Sequence, residues 1–251
     1  MTAARRVAAL YDLHGNLPAL EAVLAEIARE DVDLVVFGGD LAWGPRPRET
    51  VERALDPGLP ARYVRGNGDR SVGERQGTAQ GLEPWVAEVT EWCADRLGPR
   101  LRASLLEMEP SVTVSVEGVG SVLFCHGSPR SDEEILTDAT PDARLSEAVA
   151  GVTADLVVCG HTHMQFDRAS GDVRVVNAGS VGMPYEAEPG AYWALLGPGV
   201  SLRRTAYDYA SAAAAVEASG CPYALEFAKD VVTPPSRAEA TAQFEGGGVG
   251  E

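Results

Sequence analysis

The sequence predicts an α/β fold built on parallel strands, and three observations carry that expectation. Short apolar runs alternate with helical periodicity through the first 70 residues, and each run ends in a cluster of Gly, Asp, Asn or His. The spacing between the runs suits crossover helices, so the units read as βαβ, whose ligands sit outside the carboxyl ends of the strands.

The elements follow in order. Arg6 to Leu10 reads as a strand ending at Tyr11-Asp12-Leu13-His14-Gly15-Asn16, and Pro18 opens a helix with apolar residues at Leu20, Val23, Leu24 and Ile27. Leu34 to Phe37 is a continuous apolar strand ending at Gly38-Gly39-Asp40, followed by a Pro-rich loop (Gly44 to Pro47) and a helix over Arg48 to Leu55. Arg62 to Arg65 ends at Gly66-Asn67-Gly68-Asp69. Leu82 to Glu109 has helical periodicity, with Trp85, Val89, Trp92 and Leu97 as core positions and the two tryptophans read as core or lid packing. Strands over Val112 to Val116 and Val122 to Phe124 follow, the second ending at Cys125-His126-Gly127. A helix over Pro141 to Ala150 leads to the strand Leu156 to Cys159, which ends at Gly160-His161-Thr162-His163. From Phe166 to Ala206 short strands alternate with turns in an antiparallel manner, including Val173 to Val176, Tyr192 to Leu196 and Leu202 to Tyr207. Helical patterns return at Tyr209 to Ala218 and Tyr223 to Lys229. With no repeat and no linker in sight, residues 1–230 are expected to form one domain and residues 231–251 a flexible tail.

Composition narrows the function classes. The 251 residues are 45% hydrophobic and 23% charged, ordinary for a soluble globular chain. Lys and Arg number 21 against 37 Asp and Glu, a formal net charge of −16. That balance argues against a nucleic-acid polymer as partner, since backbone binding depends on cationic neutralisation, but not against a small phosphate held at a local positive centre. Only the short apolar run Val7 to Leu10 follows Arg5-Arg6, and no stretch approaches a membrane span of ~20 residues, so a cytoplasmic location is expected. Cys93, Cys125, Cys159 and Cys221 lie far apart without CxxC spacing and read as reduced, buried thiols.

All four histidines, His14, His126, His161 and His163, fall just after predicted strands. Asp12, Asp40 and Asn67 occupy equivalent strand ends, so the seven side chains could converge on one crevice. This mixed N/O donor set suits Mn²⁺, Fe²⁺, Zn²⁺ or Ni²⁺ rather than Ca²⁺. Seven ligands are too many for one tetrahedral site and fit two ions about 3.5–4 Å apart that share a carboxylate.

Asp12-x-His14, Gly39-Asp40, Gly66-Asn67, His126 and Gly160-His161-Thr162-His163, in that order, resemble the calcineurin-like metallophosphoesterase superfamily. The resemblance spans residues 6 to 185. Trp43-Gly44-Pro45-Arg46-Pro47, His126-Gly127-Ser128-Pro129-Arg130 and Asn177-Ala178-Gly179-Ser180-Val181-Gly182 make the chain look like the small prokaryotic phosphodiesterase branch. The resemblance implies a four-layer α-β-β-α sandwich of two mixed sheets flanked by helices. It also implies that Asp12, His14 and His163 bind a first metal, that Asn67, His126 and His161 bind a second, and that Asp40 bridges them, Mn²⁺ being the expected ion. Two such ions less two carboxylates leave a centre of about +2, able to attract a phosphate ester and to acidify a bound water. The expected reaction is attack of metal-bound hydroxide on a small-molecule phosphodiester or phosphoanhydride. The oligomeric state is left open. A non-catalytic scaffold with the same fold and a phosphomonoesterase or protein phosphatase are the rival readings.

One position departs from the pattern. Relatives often carry a histidine directly after the Gly-Asn pair, placed to protonate the leaving group, where this chain has Gly68. Such acid help is typically worth about 10²–10⁴-fold. Arg46 and Arg130 follow the ligand loops and either clamp a substrate phosphate, as is expected of Arg130 together with Asn67, or lie solvated. Asp69 either supports a ligand or caps the next helix.

Overall fold

Apolar runs of four residues, too short for helices, form the centre of both sheets in the computed structural model, which describes residues 3–78 and 83–246. The strands are β1 (Val7–Leu10), β2 (Leu34–Phe37), β3 (Ala61–Tyr63), β4 (Ser111–Val116), β5 (Gly120–Cys125), β6 (Leu156–Cys159), β7 (Phe166–Ser170), β8 (Val173–Asn177), β9 (Ala191–Leu196) and β10 (Val200–Thr205). The helices are α1 (Leu17–Ile27), α2 (Pro47–Leu55), α3 (Asn67–Glu74), α4 (Pro84–Leu106), α5 (Asp142–Ala148), α6 (Tyr209–Glu217), α7 (Ala224–Val232) and α8 (Arg237–Gly246).

Two five-stranded mixed sheets result, in the orders β10-β9-β1-β2-β3 and β4-β5-β6-β8-β7. β1, β2 and β3 run parallel, as do β5, β6 and β8, while the other strands pair antiparallel. The stretch from Phe166 to Ala206 is therefore not wholly antiparallel: β8 joins β6 in parallel register, and β9 returns to the first sheet beside β1.

Strand alternation divides the core into layers. Val7, Ala9, Tyr11 and Val36 of the first sheet meet Val122, Phe124, Val158 and Val176 of the second. The opposite faces bury Ala8, Leu10, Val35 and Phe37 against α1 and α4, and Val157, Cys159 and Val175 against α5. Helix, sheet, sheet, helix is the four-layer arrangement. Tyr11 ties the two sheets together by donating its hydroxyl to the carbonyl of Val158 at 2.8 Å. The carboxyl ends of the parallel strands thereby open on one edge, and the functional loops leave from it.

Several boundaries differ from the sequence reading. The helix expected over Leu82 to Glu109 begins at Pro84, Leu82 lying outside the described residues, and it is broken at Gly98, whose φ of 66° and ψ of 174° are not helical, just before Pro99. The end of the chain is helical from Arg237 to Gly246 rather than a tail from residue 231, and residues 247–251 lie outside the described residues. Ser236 and Glu239 form a capping box, Ser236 N–H donating to Glu239 Oε2 at 2.9 Å and Glu239 N–H to Ser236 Oγ at 3.3 Å. Arg237 pairs with Glu186 at 2.8 Å, and Thr137 donates to Glu245 at 2.8 Å, so both ends of α8 are fastened to the second sheet's loops.

Candidate metal centre

All seven side chains singled out in the sequence meet at the carboxyl edge. His14 Nε2 lies 3.1 Å from His163 Nε2, 3.9 Å from Asp12 Oδ1 and 3.7 Å from Asp40 Oδ2. His126 Nε2 lies 3.0 Å from Asn67 Oδ1, 3.5 Å from Asp40 Oδ2 and 3.8 Å from Asp12 Oδ1. The His161 ring stands at 61° to that of His126, their centroids 5.1 Å apart. Two overlapping groups have metal-binding spacing, Asp12 with His14 and His163, and Asp12 with Asp40 and His126. Asp12 is common to both groups, and Asp40 Oδ2 stands between His14 and His126.

The local backbone is unusual. Among the described residues, eight non-glycine positions have positive φ, and five of them are Asp12 (54°), His14 (43°), Asp40 (55°), His161 (67°) and His163 (58°). Non-glycine residues rarely occupy this region, at a cost of about 1–3 kcal/mol each, so the surrounding structure has to hold them there. The loops do so by bonding to one another. Asp12 N–H donates to Gly39 O at 3.0 Å, His14 N–H to Asp40 O at 3.0 Å, and Gly182 N–H to Asp12 O at 2.9 Å. Gly66 has to be glycine because a Cβ there would sit 2.1 Å from Asp40 Oδ1.

Three imidazoles are oriented alike. Nδ1 of His14 faces Trp43 O at 2.8 Å, Nδ1 of His126 faces Gly38 O at 2.9 Å, and Nδ1 of His163 faces Met183 O at 2.6 Å. A carbonyl only accepts, so each Nδ1 carries the proton and each Nε2 is directed into the centre as a potential ligand. Asp12 Oδ2 accepts from His161 N–H at 2.9 Å, and Asp40 Oδ1 from Gly68 N–H at 2.7 Å. The remaining oxygen of Asp12, Oδ1, is buried and has no hydrogen-bond partner.

That orphaned oxygen tests whether a cation fits. A buried carboxylate oxygen without a donor is costly, and two facing Nε2 lone pairs 3.1 Å apart repel unless a positive charge lies between them. Both conditions are met by a divalent ion. The electrostatics agree: burial opposes ionisation of Asp40, yet His126 and His14 beside it hold its carboxyl far below the usual range. Burial likewise opposes the charge on His126, but Asp40 outweighs it and holds the imidazolium up to about 10. Burial, reinforced by His126, pushes His161 down to about 4 and so keeps it a neutral donor. A divalent ion would supply the positive charge that the proton on His126 now provides.

The neighbours divide into those anticipated and those missed. Asp69 is buried and accepts from the N–H groups of Leu41 (2.9 Å), Ala42 (3.2 Å) and Gly66 (3.2 Å), fastening the Asp40 loop to the start of α3. Ser180 Oγ donates to Asp12 O at 2.8 Å. Arg130 does not join the centre: its guanidinium pairs with Glu134 at 2.8 Å and donates to Glu147 O at 3.3 Å. Trp85 is 42% exposed and packs edge-on against Trp43, whose ring in turn stands edge-on to His14. The sequence reading missed Tyr185, which stacks on His163 with centroids 4.8 Å apart, and the α7 residues Phe227 and Asp230, which line a recess beside His14. No local motif marks them, since only the tertiary fold brings them to the site.

The family model of the calcineurin-like phosphoesterase superfamily domain matches residues 6–196. Among solved structures, a metallophosphoesterase from Sphaerobacter thermophilus is 25% identical, with 94% of this chain and 99% of that one covered and a TM-score of 0.71. A hypothetical protein from Pyrococcus horikoshii OT3 is 19% identical over 92% of this chain and 99% of that one, with a TM-score of 0.81, a likeness of fold. No curated protein matches the sequence.

Proposed function

The chain belongs to the calcineurin-like phosphoesterase superfamily, and from that premise we propose that it is a dinuclear-metal phosphodiesterase acting on a small-molecule phosphodiester or phosphoanhydride. The observation that carries this reading is the convergence of seven donors around the unpartnered Oδ1 of Asp12. Asp12, His14 and His163 would hold one ion, Asn67, His126 and His161 the other, with Asp40 between them; the donor set suits Mn²⁺, with Fe²⁺, Zn²⁺ and Ni²⁺ as alternatives. Bound there, divalent ions would neutralise charge on a phosphate and lower the pKa of a coordinated water. The four buried, unpaired thiols favour a reducing cytoplasmic setting, and no helix among the described residues is long and apolar enough to cross a membrane.

The chain's own residues set the geometry and the proton inventory. Trp43, Gly38 and Met183 carbonyls fix three imidazoles with Nε2 inward. Asp69 and Ser180 hold the loops that carry Asp40 and Asp12. No histidine is left to protonate the leaving group. Position 68 offers no room for one without rearrangement, because a Cβ on Gly68 would lie 2.9 Å from Asp40 Oδ1. Hydrolysis should therefore depend steeply on leaving-group acidity, aryl esters being cleaved much faster than alkyl esters. Equal rates for the two would contradict this.

The test uses the purified full chain with Mn²⁺. Bis(p-nitrophenyl) phosphate should be hydrolysed faster than p-nitrophenyl phosphate, and chelation should stop the reaction. Absence of turnover with any of the four metals at full occupancy would favour a binding scaffold, and faster monoester hydrolysis would favour a phosphomonoesterase.

A further inference from the structure

His163 stands at a φ of 58°, so neighbouring segments have to hold it in place. The turn at residues 183–186 does so by three contacts. Met183 O accepts the Nδ1 proton at 2.6 Å, Tyr185 N–H donates to His163 O at 3.2 Å, and the Tyr185 ring stacks on the imidazole with 27° between the planes. The turn itself is fixed by Glu186. Its buried carboxylate accepts from Gln165 N–H at 2.7 Å, which ties the turn to the segment that leaves His163.

A buried carboxylate is costly unless a cation and hydrogen bonds accompany it. Among the described residues the cation paired with Glu186 is Arg237, which comes from α8, outside the residues 6–196 that match the family model. Arg237 is the first residue of that helix, where the dipole disfavours a positive charge, so helix stability does not account for it. Its planar fork is instead spent on the loops around His163. Nη1 donates to Glu186 Oε1 at 2.8 Å and to Gln165 O at 3.0 Å, and Nη2 donates to Asp138 Oδ2 at 3.0 Å. One guanidinium thus bridges the turn that grips His163 and the strand of chain that follows it.

We propose that Arg237 is a positioning residue of the metal centre: by balancing the buried Glu186 carboxylate it fixes the 183–186 turn, and through that turn the His163 imidazole, so that α8 completes the site of the ion assigned to Asp12, His14 and His163. The inference rests on the two-ion reading above and adds to it a residue that touches neither ion nor substrate. Without Arg237 the Glu186 carboxylate gains by turning toward water, which releases Gln165 N–H and loosens the turn. Groups that orient a ligand in this way typically govern metal affinity by about 10–100-fold. The effect should fall on one ion of the two, because Asn67, His126 and His161 take no contact from the turn.

The test has a metal-free arm and a manganese arm, both on the full chain. In excess chelator, amide hydrogen exchange followed by NMR should be faster at Gln165 and Tyr185 in Arg237→Ala, by about tenfold, the opening being local. It should be unchanged at Gly160, whose N–H donates to His126 O at 2.9 Å on the other side of the centre. Unchanged exchange at Gln165 and Tyr185, or equal acceleration at Gly160, would overturn the proposal. Titrated with Mn²⁺ and followed by electron paramagnetic resonance, Arg237→Ala should bind one ion as before and the second about tenfold more weakly. The spectrum of an isolated ion should then persist at concentrations where the unaltered chain shows a spin-coupled pair. Glu245→Ala, which frees the other end of α8, should match the unaltered chain. Equal weakening of both ions, no weakening, or the same loss in Glu245→Ala would overturn the assignment to Arg237. An unaltered chain that takes up no manganese pair, while Arg237→Ala still frees Gln165 and Tyr185, would show that the two-ion reading, not the positioning, is at fault.

Discussion

The loops at the carboxyl ends of the strands and the helices α6–α8 both reach the candidate centre, but they are built in opposite ways. In the loops, five residues are held at positive φ, three imidazoles are anchored by backbone carbonyls, and glycines stand where a Cβ would collide. The helices, all three of which lie beyond residues 6–196 that match the family model, bring ordinary side chains. Phe227, Asp230 and Val231 of α7 line the recess beside His14, and Phe244 of α8 lies 6.2 Å from Tyr185. The difference assigns tasks. Under the proposed reading, strained, over-determined backbone fixes the donors as ligation requires, whereas the helices contribute packed side chains that wall the recess beside them.

The largest effect that could break this division is loss of a donor. Asp40→Asn and His126→Ala should abolish divalent-metal binding and hydrolysis while circular dichroism stays native, and turnover retained in both purified variants would remove the centre from the account. Asp69→Asn replaces one of two accepting oxygens with a donor, so that either the Asp40 loop or Gly66 loses its acceptor. An activity loss of about 10–100-fold is expected, as for other groups that orient ligands, and unchanged metal affinity and rate would show that the loops hold themselves. Phe227→Ala should leave metal stoichiometry alone and change KM for bulky esters more than for bis(p-nitrophenyl) phosphate, measured by steady-state kinetics. Smallest is Glu245→Ala, which frees the Thr137 and Thr140 hydroxyls. The loss should be about 1 kcal/mol, lowering Tm by about 2–4 °C without altering metal binding.

Legibility in the sequence follows the same division. Leu34 to Phe37 and Leu156 to Cys159 are readable as strands because a strand buried on both faces has to be apolar throughout. Most of the candidate ligands are readable because they follow such runs closely, Asn67 being the exception after the polar strand Ala61–Tyr63. The insertion of β9 beside β1 is not, since its pairing joins residues nearly 190 positions apart with no local trace. The carbonyls of Gly38, Trp43 and Met183 that orient the imidazoles are invisible to any side-chain pattern. Two features did leave local marks: Gly98-Pro99 signals the break in α4, and Ser236-Arg237-Ala238-Glu239 signals the start of α8. The glycine-rich stretch after residue 245 masked the second, because it makes the whole segment read as a tail.

Seven side chains distant along the chain are proposed to form one two-ion site. The most direct measurement is anomalous scattering at the manganese edge from crystals grown with Mn²⁺. Two adjacent peaks are expected, one among Asp12, His14 and His163 and one among Asn67, His126 and His161, with Asp40 reaching both. A single peak, or manganese bound only away from these residues, would contradict it.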